Sequence, residues 1–434
     1  MKVAGAGAAA ATLGPAIIVP GRATAQQKTL RILQWNHFVP GYDKWFNETY
    51  VKEWGQKNNT NVIVDNIGIA GLNARAAAEV RAQQGHDLFL FLWPPPVHED
   101  QVIDHREIYE EVERKHGKAI PLAIKSTYNP KTKKYYGFSD SYVPDPINYR
   151  KDLWDAVGVK PDSWEDIRVG GAKIKKQFDN PVGIGLASEI DTNMAMRSLM
   201  YSWGSSEQDE NGKPILGSKQ TVEAVKFVKA LYQETMTPEV FSWDASSNNR
   251  FMLAGKGSLA LNAISVTRTG ENEKIPVTDN IWLAKAAAGP VRRIGLEHVM
   301  DVYCIWKFAK NIEGAKKFLV DYVDNFKKGF LASEYYNFPC FTSTVPDLKQ
   351  LLANDPKAKP SDKYKVLEDV ESWATNVGYP GYANAAIDEV FSTWIVSTMF
   401  AKAAQGIMSP EDAVAEASKQ VERIFQKWSE RGKL

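Results

Sequence analysis

Aromatic and polar side chains recur in this chain beside glycines and prolines, at points where short apolar runs end. Flat aromatic faces can cover the C–H side of a small polar molecule, and fixed polar groups can replace the water on its hydroxyls. This combination indicates non-covalent capture of a small polar solute. The candidate binding residues are Trp35, His37, Trp93, Tyr142, Asp145, Trp203, Trp243, Asp244, Asn262, Asp301, Tyr303 and Tyr336.

Each candidate also has a purely structural interpretation. Trp35 and Trp93 close buried strands, so they either contact a ligand or pack beneath it. Tyr303 and Tyr336 suit core or hinge positions better than contact with a ligand. His37 fits a loop histidine whose hydrogen bonds are satisfied within the protein.

Three further candidates lie in loops or turns. Trp203 and Trp243 are flanked by small residues, which is typical of loops that approach a ligand. Asp145 lies between Pro144 and Pro146, and its structural interpretation is a carboxylate that hydrogen-bonds within its own turn.

The sequence offers little for catalysis. It contains no Gly-x-Ser-x-Gly, His-Glu-x-x-His or P-loop pattern, and Gly5-Ala6-Gly7 follows no strand. Cys304 and Cys340 are the only cysteines, without zinc-ligand spacing, so we expect no metal and no cofactor. The two thiols either pair in a disulfide or stay buried and free. A secreted glycosidase needs only two carboxylates, so it remains an alternative among 52 acidic residues.

Strands that alternate with helices must position the first candidates. Thr29–Trp35, Asn61–Ile67 and Asp87–Trp93 have the composition of buried strands, and amphipathic helices are predicted over residues 42–54 and Leu72–Gln83. This alternation predicts an α/β fold with a parallel sheet. Ligands bind at the carboxyl ends of such strands, which puts the ends of the first and third runs at one edge.

Helices in the rest of the chain have identifiable ends and faces. Ser163 followed by Asp166 predicts a capped helix start, and Ser409-Pro410 predicts another. One further helix should bury Ala315, Phe318, Leu319, Tyr322, Val323 and Phe326.

The composition bounds the partners. The chain has 434 residues, a length that is enough for two domains, and 44% of the residues are hydrophobic and 24% charged. Its formal net charge is +1, without Lys/Arg runs, so we expect no nucleic-acid partner. No stretch beyond residue 25 reaches the ~18 uninterrupted apolar residues that a membrane span needs.

Residues 1–25 have the pattern of an export signal peptide. Lys2 is followed by an Ala/Gly-rich apolar stretch, and Ala23-Thr24-Ala25 offers the small residues that signal peptidase requires. The alternative is an alanine-rich first helix. The stretch resembles the tail of a twin-arginine signal without the arginine pair. Either the true start lies upstream or the general secretory route is used, and in both cases we expect a periplasmic protein.

Four sequence blocks, taken in order, carry a family resemblance. They are YYGFSDSYVPDPINYRKDLWDAVGVKPDSWEDI (Tyr135–Ile167), WGSSEQDENGKPILGSKQTVEAVKFVKALYQE (Trp203–Glu234), FMLAGKGSLALNAI (Phe251–Ile264) and WKFAKNIEGAKKFLVDYV (Trp306–Val323). With YYNFPCFTSTVPD and the closing GIMSPEDAVAEASKQVERIF, they span nearly the whole mature chain. In this order the blocks resemble the extracellular solute-binding proteins of the maltose-binding type, family 1 of the ABC importer substrate-binding proteins.

The resemblance implies a two-lobed periplasmic binding protein fold with three interlobe crossovers and the ligand in the cleft. It places the amino-terminal lobe at residues 26–140 and 299–342, and the carboxy-terminal lobe at 145–295 and 346–434. The hinges would be Asp140–Pro144, the stretch before Val299, and Thr342–Val345. Such lobes close on a ligand by hinge motion.

The function implied is that of a monomeric, non-enzymatic binding component that delivers a sugar, oligosaccharide or polyol to a permease pair. One departure from the family leaves the ligand open. The strand before Trp306 usually carries a glycine pair and here reads Val299–Tyr303, VMDVY. Side chains there could replace backbone contacts with the ligand. Asp145, Asp244 and Asp301 keep a cationic solute, a polyamine or a betaine, as the alternative.

Overall fold

The computed structural model describes residues 27–434, so the predicted export segment at 1–25 lies outside the described residues. Its β-strands are β1 (Lys28–Trp35), β2 (Thr60–Ile67), β3 (Leu88–Phe91), β4 (Tyr128–Asn129), β5 (Lys134–Tyr135), β6 (Ser141–Val143), β7 (Ile147–Arg150), β8 (Val182–Gly183), β9 (Leu259–Leu261), β10 (Ile281–Ala284), β11 (Gly295–Leu296), β12 (Val299–Met300), β13 (Val302–Ile305), β14 (Phe338–Pro339) and β15 (Ala374–Thr375).

The helices surround two of the sheets that these strands form. They are α1 (Pro40–Trp45), α2 (Val51–Lys57), α3 (Leu72–Ala82), α4 (Arg106–His116), α5 (Pro121–Thr127), α6 (Lys151–Ala156), α7 (Trp164–Phe178), α8 (Ile190–Ser202), α9 (Lys219–Thr235), α10 (Ser247–Leu253), α11 (Ser265–Asn272), α12 (Ile312–Asp324), α13 (Phe326–Ala332), α14 (Leu348–Ala353), α15 (Ala385–Ser392), α16 (Ile395–Ala404) and α17 (Pro410–Glu430). Within residues 27–434, none of them is long and apolar enough to cross a membrane.

The first sheet has the strand order β13-β3-β1-β2. Strand β1 runs parallel to β2 and β3, as predicted, whereas β13 joins antiparallel to β3. Strand β3 is buried along its whole length, because helices cover both faces of the sheet. It ends at Phe91, two residues short of the predicted end, so that Trp93 lies beyond the strand.

The second sheet has the order β10-β7-β9-β8 and is mixed. Strand β7 pairs antiparallel with β10 and β9, and β8 pairs parallel with β9. Two separate α/β sheets agree with the predicted two-lobed fold.

A third sheet lies where the chain was expected to cross between lobes. Strand β6 pairs antiparallel with both β12 and β14, so all three predicted crossover regions contribute to it or adjoin it. Strands bonded in one sheet keep the crossings side by side, which suits a hinge. The residue limits of the lobes stay a prediction.

Local sequence signals account for the helices. The capping box that Ser163 and Asp166 predict is present, and the Ser409 side chain accepts from the backbone N–H of Asp412. Every predicted inner-face residue of α12 is buried, as is Phe326 at the start of α13. The aromatic helix after β1 differs: a wider turn over Phe46–Tyr50 separates α1 from α2. Both cysteines, Cys304 and Cys340, are buried and free.

Candidate functional site

A buried aromatic cluster follows the carboxyl end of β1. The His37 ring lies 4.9 Å from the rings of both Trp35 and Tyr336. Its Nδ1 accepts from the backbone N–H of Val39 at 2.9 Å, so Nε2 carries the proton and donates to Asn337 Oδ1 at 3.0 Å. Burial lowers the pKa of His37 to about 4, with these hydrogen bonds opposing the shift. His37 is therefore a neutral side chain that positions Trp35 and Tyr336.

The Tyr336 hydroxyl is buried within range of the charges of three carboxylates. Tyr336 is 0% exposed, and its oxygen has no hydrogen-bond partner within residues 27–434. Burial raises the pKa of Tyr336 well above its ordinary value, and the charges of Asp191, Asp301 and Asp145 raise it further. These three carboxylates and the hydroxyl, with His298, are called the cleft cluster below.

His298 links two of the carboxylates. Its Nδ1 lies 3.2 Å from Asp145 Oδ1, and its Nε2 lies 3.6 Å from Asp191 Oδ1. The backbone N–H of His298 donates to the carbonyl of Val143, which fixes the imidazole to β6. Burial lowers the pKa of His298, but Asp191 and Asp145 outweigh it and the net pKa is raised. Asp145 and Asp191 thus both favour the protonated form of the imidazole that lies between them.

Asp191 is placed by the first turn of α8. The Glu189 carboxylate caps this helix, accepting from the backbone N–H groups of Asp191 and Thr192 at 2.7 and 2.5 Å. Asp191 Oδ2 accepts from Asn248 Nδ2 at 2.6 Å, whereas Oδ1 has no hydrogen-bond partner in the described chain. Burial and the Glu189 charge raise the pKa of Asp191 well above its ordinary value.

Asn262 reaches the cluster through a second amide. Its Nδ2 donates to Asn248 Oδ1 at 2.7 Å and to Asn249 Oδ1 at 2.5 Å. Asn248 therefore connects Asn262 to Asp191, and the predicted residue orients a group that in turn orients the carboxylate.

Asp301 forms a like-charge pair with Asp140. Ser141 Oγ lies 2.9 Å from Oδ2 of each carboxylate. One hydroxyl carries one proton, so it donates to one carboxylate and can only accept from the other, which must then be protonated. Burial raises the pKa of Asp140 to about 7, and burial together with the Asp140 charge raises that of Asp301 well above normal. In the part of the chain that is described, Oδ1 of both residues is unpartnered.

Tyr303 forms the wall behind this pair. Its hydroxyl accepts from Gln34 Nε2 at 2.7 Å, and it is almost completely buried in β13. Burial raises the pKa of Tyr303 well above its ordinary value, as do the neighbouring Tyr42 and Asp140. Tyr303 therefore supports the pair from the core side.

Comparison with known proteins identifies the architecture that brings these groups together. The model of the family described as bacterial extracellular solute-binding protein matches residues 39–334. The chain belongs to that family. The predicted resemblance is thereby confirmed.

A relative of known sequence is also described as a binding protein. A curated binding protein of Brucella abortus (strain 2308) is 27% identical over 240 residues, which cover 50% of this solute-binding protein and 57% of the relative. The match thus spans little more than half the length of that relative.

Two solved structures show the same fold. An ABC transporter solute-binding protein from Thermotoga lettingae, bound with alpha-D-tagatose, superposes with a TM-score of 0.75 at 17% identity, covering 92% of this chain and 100% of the other. A sugar transporter protein from Arthrobacter chlorophenolicus A6, with bound laminaribiose, gives 0.76 at 17%, covering 91% and 99%. The two-lobed binding-protein fold of this chain is confirmed.

Trp93 lies at a second place in this solute-binding protein, beyond β3. Its ring centroid is 5.6 Å from that of Phe391, and it lines a pocket of about 200 Å³ with His98 and Ser392. Asp388, also on helix α15, accepts from the backbone N–H of Val97 and from Ser392 Oγ, and burial raises its pKa to about 7. Trp93 thus joins the first sheet to α15.

Tyr142 faces away from the cleft cluster. Successive side chains of a strand point to opposite faces, so Tyr142 points away from the side on which Ser141 meets Asp301. It lines a pocket of about 130 Å³ together with Glu371 and Thr375.

Three loop candidates of this solute-binding protein are not brought to the cluster. Trp203 follows α8 at the end opposite Asp191, about 18 Å away at 1.5 Å per residue, and its ring centroid lies 4.7 Å from that of Phe227. Trp243 packs half-buried on Phe251. The Asp244 side chain is 67% exposed and pairs with Arg250.

Several cluster residues were not predicted. Asp191, His298 and Asn248 were missed, although His298 adjoins a predicted hinge. Asp140 and Ser141 were named only as hinge residues. A polar residue inside or beside an apolar crossover is the signal that could have found His298 and Asp140.

Proposed function

We propose that this protein is the substrate-binding component of an ABC importer, which captures a sugar, oligosaccharide or polyol and delivers it to a permease pair. The observation that carries the proposal is the convergence of unpartnered polar atoms in the cleft cluster. Asp191 Oδ1, Asp301 Oδ1 and the Tyr336 hydroxyl are buried and make no hydrogen bond among residues 27–434, although Asp191 Oδ1 lies 3.6 Å from His298 Nε2.

Such atoms need a partner. A buried polar group without a hydrogen bond costs roughly 1–3 kcal/mol. Hydroxyl groups of a ligand can donate to the two carboxylates and exchange hydrogen bonds with the tyrosine. Trp35 adds an aromatic surface beside them, held by His37. A polyhydroxylated ligand then supplies hydrogen bonds to groups that the protein alone leaves without them.

The relatives support the ligand class. Two proteins with this fold hold tagatose and laminaribiose, and both are transport proteins. Membership of an extracellular solute-binding family supports export to the periplasm and action without catalysis. We further propose that the mature protein is a monomer without a nucleic-acid partner, with the lobe limits predicted above.

The carboxylates favour one second candidate, a cationic solute such as a polyamine or betaine. The charges of three carboxylates act on Tyr336, and His298 is the basic side chain that pairs with one of them. A ligand cation would offset the remaining negative charge.

A thermal-shift screen with sugars, polyols and amines separates these candidates. A ligand at a hundred times its Kd stabilises the folded protein by about 2.7 kcal/mol. Stabilisation by a sugar or polyol supports the proposal, and stabilisation by simple amines alone rejects the sugar assignment. Incubation of the ligand with sub-stoichiometric protein tests catalysis, since turnover would exclude a pure binding role.

A further inference from the structure

Two carboxylate pairs in and beside the cleft cluster differ in charge compensation. Asp145 and Asp191 share the His298 imidazolium. Asp301 and Asp140 meet across Ser141, and within residues 27–434 no basic side chain pairs with either of them. Among the described residues, this pair is therefore compensated by a proton on one of its carboxyls.

The other ionisable groups around the pair add no positive charge. They come from α1, β13, α12, the segment before β14 and the segment after it. Burial raises the pKa of every one of them, so all are neutral near pH 7: Tyr42, Tyr303, Tyr322, Tyr336 and Cys340.

A second observation concerns unpartnered atoms at and near the pair. Asp301 Oδ1 makes no hydrogen bond in the described structure, and neither does the fully buried Tyr336 hydroxyl, on which the Asp301 charge acts. A buried acceptor, and a buried hydroxyl within range of its charge, therefore both remain available to a ligand.

Building on the proposed function, we propose that the ligand is a sugar or polyol that carries an ammonium group, and that this group binds at Asp301 Oδ1. The ammonium donates to Asp301 and lies beside Tyr336, and the hydroxyls of the same molecule donate to Asp191 Oδ1. The cation takes the place of the proton in the Asp140–Asp301 pair, because both supply one positive charge. Binding therefore releases about one proton near neutral pH.

Matched ligands test this directly. Titration calorimetry compares D-glucosamine with D-glucose and N-acetyl-D-glucosamine, and 1-amino-1-deoxy-D-sorbitol with D-sorbitol. Each comparison keeps the carbon skeleton and changes the charge. We expect the amine to bind at least tenfold more tightly in at least one series. Equal or tighter binding by the neutral member overturns the ammonium assignment and leaves the proposed function intact, whereas absence of binding in both series counts against both.

Proton release gives a second measurement that needs no variant. Titrations of the preferred amine at pH 7 in two buffers of different ionisation enthalpy should show release of about one proton per ligand. No release, or uptake, overturns the exchange of proton for ammonium.

The position of the ammonium is tested by Asp301→Asn, with Asp155→Asn as control for a lost surface carboxylate paired with Lys151. Asp301→Asn should reduce the amine-to-neutral affinity ratio to about one, and Asp155→Asn should preserve it. A ratio retained in Asp301→Asn overturns the assignment to this carboxylate.

Discussion

Asp145 Oδ1 accepts a hydrogen bond from His298 Nδ1 over 3.2 Å, between residues 153 positions apart in the chain. Asp145 follows β6 and His298 precedes β12, the two strands that pair at the crossovers. The ion pair therefore joins two of the predicted crossover regions. His298 also lies 3.6 Å from Asp191, which connects these regions to α8.

The first prediction concerns His298→Gln. The pKa of His298 is raised above 6.5 in the folded protein, so its stabilising effect is complete below pH about 6.5 and lost as pH rises through the raised pKa. Removing one member of a buried pair costs about 3 kcal/mol or more. We expect His298→Gln to lower the thermal midpoint strongly at pH 6 and less at pH 9, measured by calorimetry.

His116→Gln is the matched control, because His116 pairs with Asp324 at the surface. It should change the midpoint little at either pH. An effect of His298→Gln that does not diminish between pH 6 and pH 9 would show that the imidazole is not held as a cation.

The second prediction concerns the Asp140–Asp301 pair. The pKa of Asp140 is raised to about 7, so the pair destabilises the fold progressively as pH rises from about 4 to about 7. In Asp301→Asn the amide can donate to Ser141 and the repulsion disappears. We expect the variant to be more stable than the parent at pH 8, by about 1 kcal/mol or more, and to gain less at pH 5. Lower stability of Asp301→Asn at pH 8 would contradict the like-charge pair.

The third prediction separates binding from stability at Tyr336. Tyr336→Phe removes an unpartnered hydroxyl, so the ligand-free protein should keep or raise its thermal midpoint. Ligand affinity should fall about tenfold, a loss of roughly 1.4 kcal/mol. Tyr109→Phe serves as the control, because its hydroxyl bonds Thr127 at 2.8 Å. That variant should lose stability and retain affinity. Retained affinity in Tyr336→Phe together with reduced affinity in Tyr109→Phe would place the ligand elsewhere.

The fourth prediction concerns Trp203→Ala. Trp203 packs on Phe227 at the far end of α8 from the cleft cluster. Truncation should lower the free energy of unfolding by about 2–3 kcal/mol while affinity changes less than twofold. A tenfold loss of affinity, with the midpoint unchanged, would place Trp203 at the ligand.

Much of the fold could be predicted because its signals are local. The buried face of α12 and the Ser163 cap follow from spacing of three and four residues along the chain. The helical segment over Phe46–Tyr50 deviates because its two buried aromatics keep one face while the turn widens, which a regular period does not reveal.

The site was less predictable, because its contacts join distant segments. Asp301, Tyr336 and Asn262 were named from residue type and position in the family blocks. His298 and Asp191 were missed, since neither motif nor periodicity tells that α8 and a crossover meet. A tryptophan in the sequence indicates that its side chain can stack on a ligand, but not where that side chain lies. Trp203 was therefore named, although it follows the end of α8 opposite Asp191.

Binding of a polyhydroxylated solute at the cleft cluster, and its release unchanged, can be measured by titration calorimetry of the best sugar, polyol or amino sugar from the screen, followed by recovery of the ligand. We expect one ligand per chain, recovered intact, with affinity reduced at least tenfold by Asp191→Asn. Conversion of the ligand, or unchanged affinity in Asp191→Asn, would contradict it.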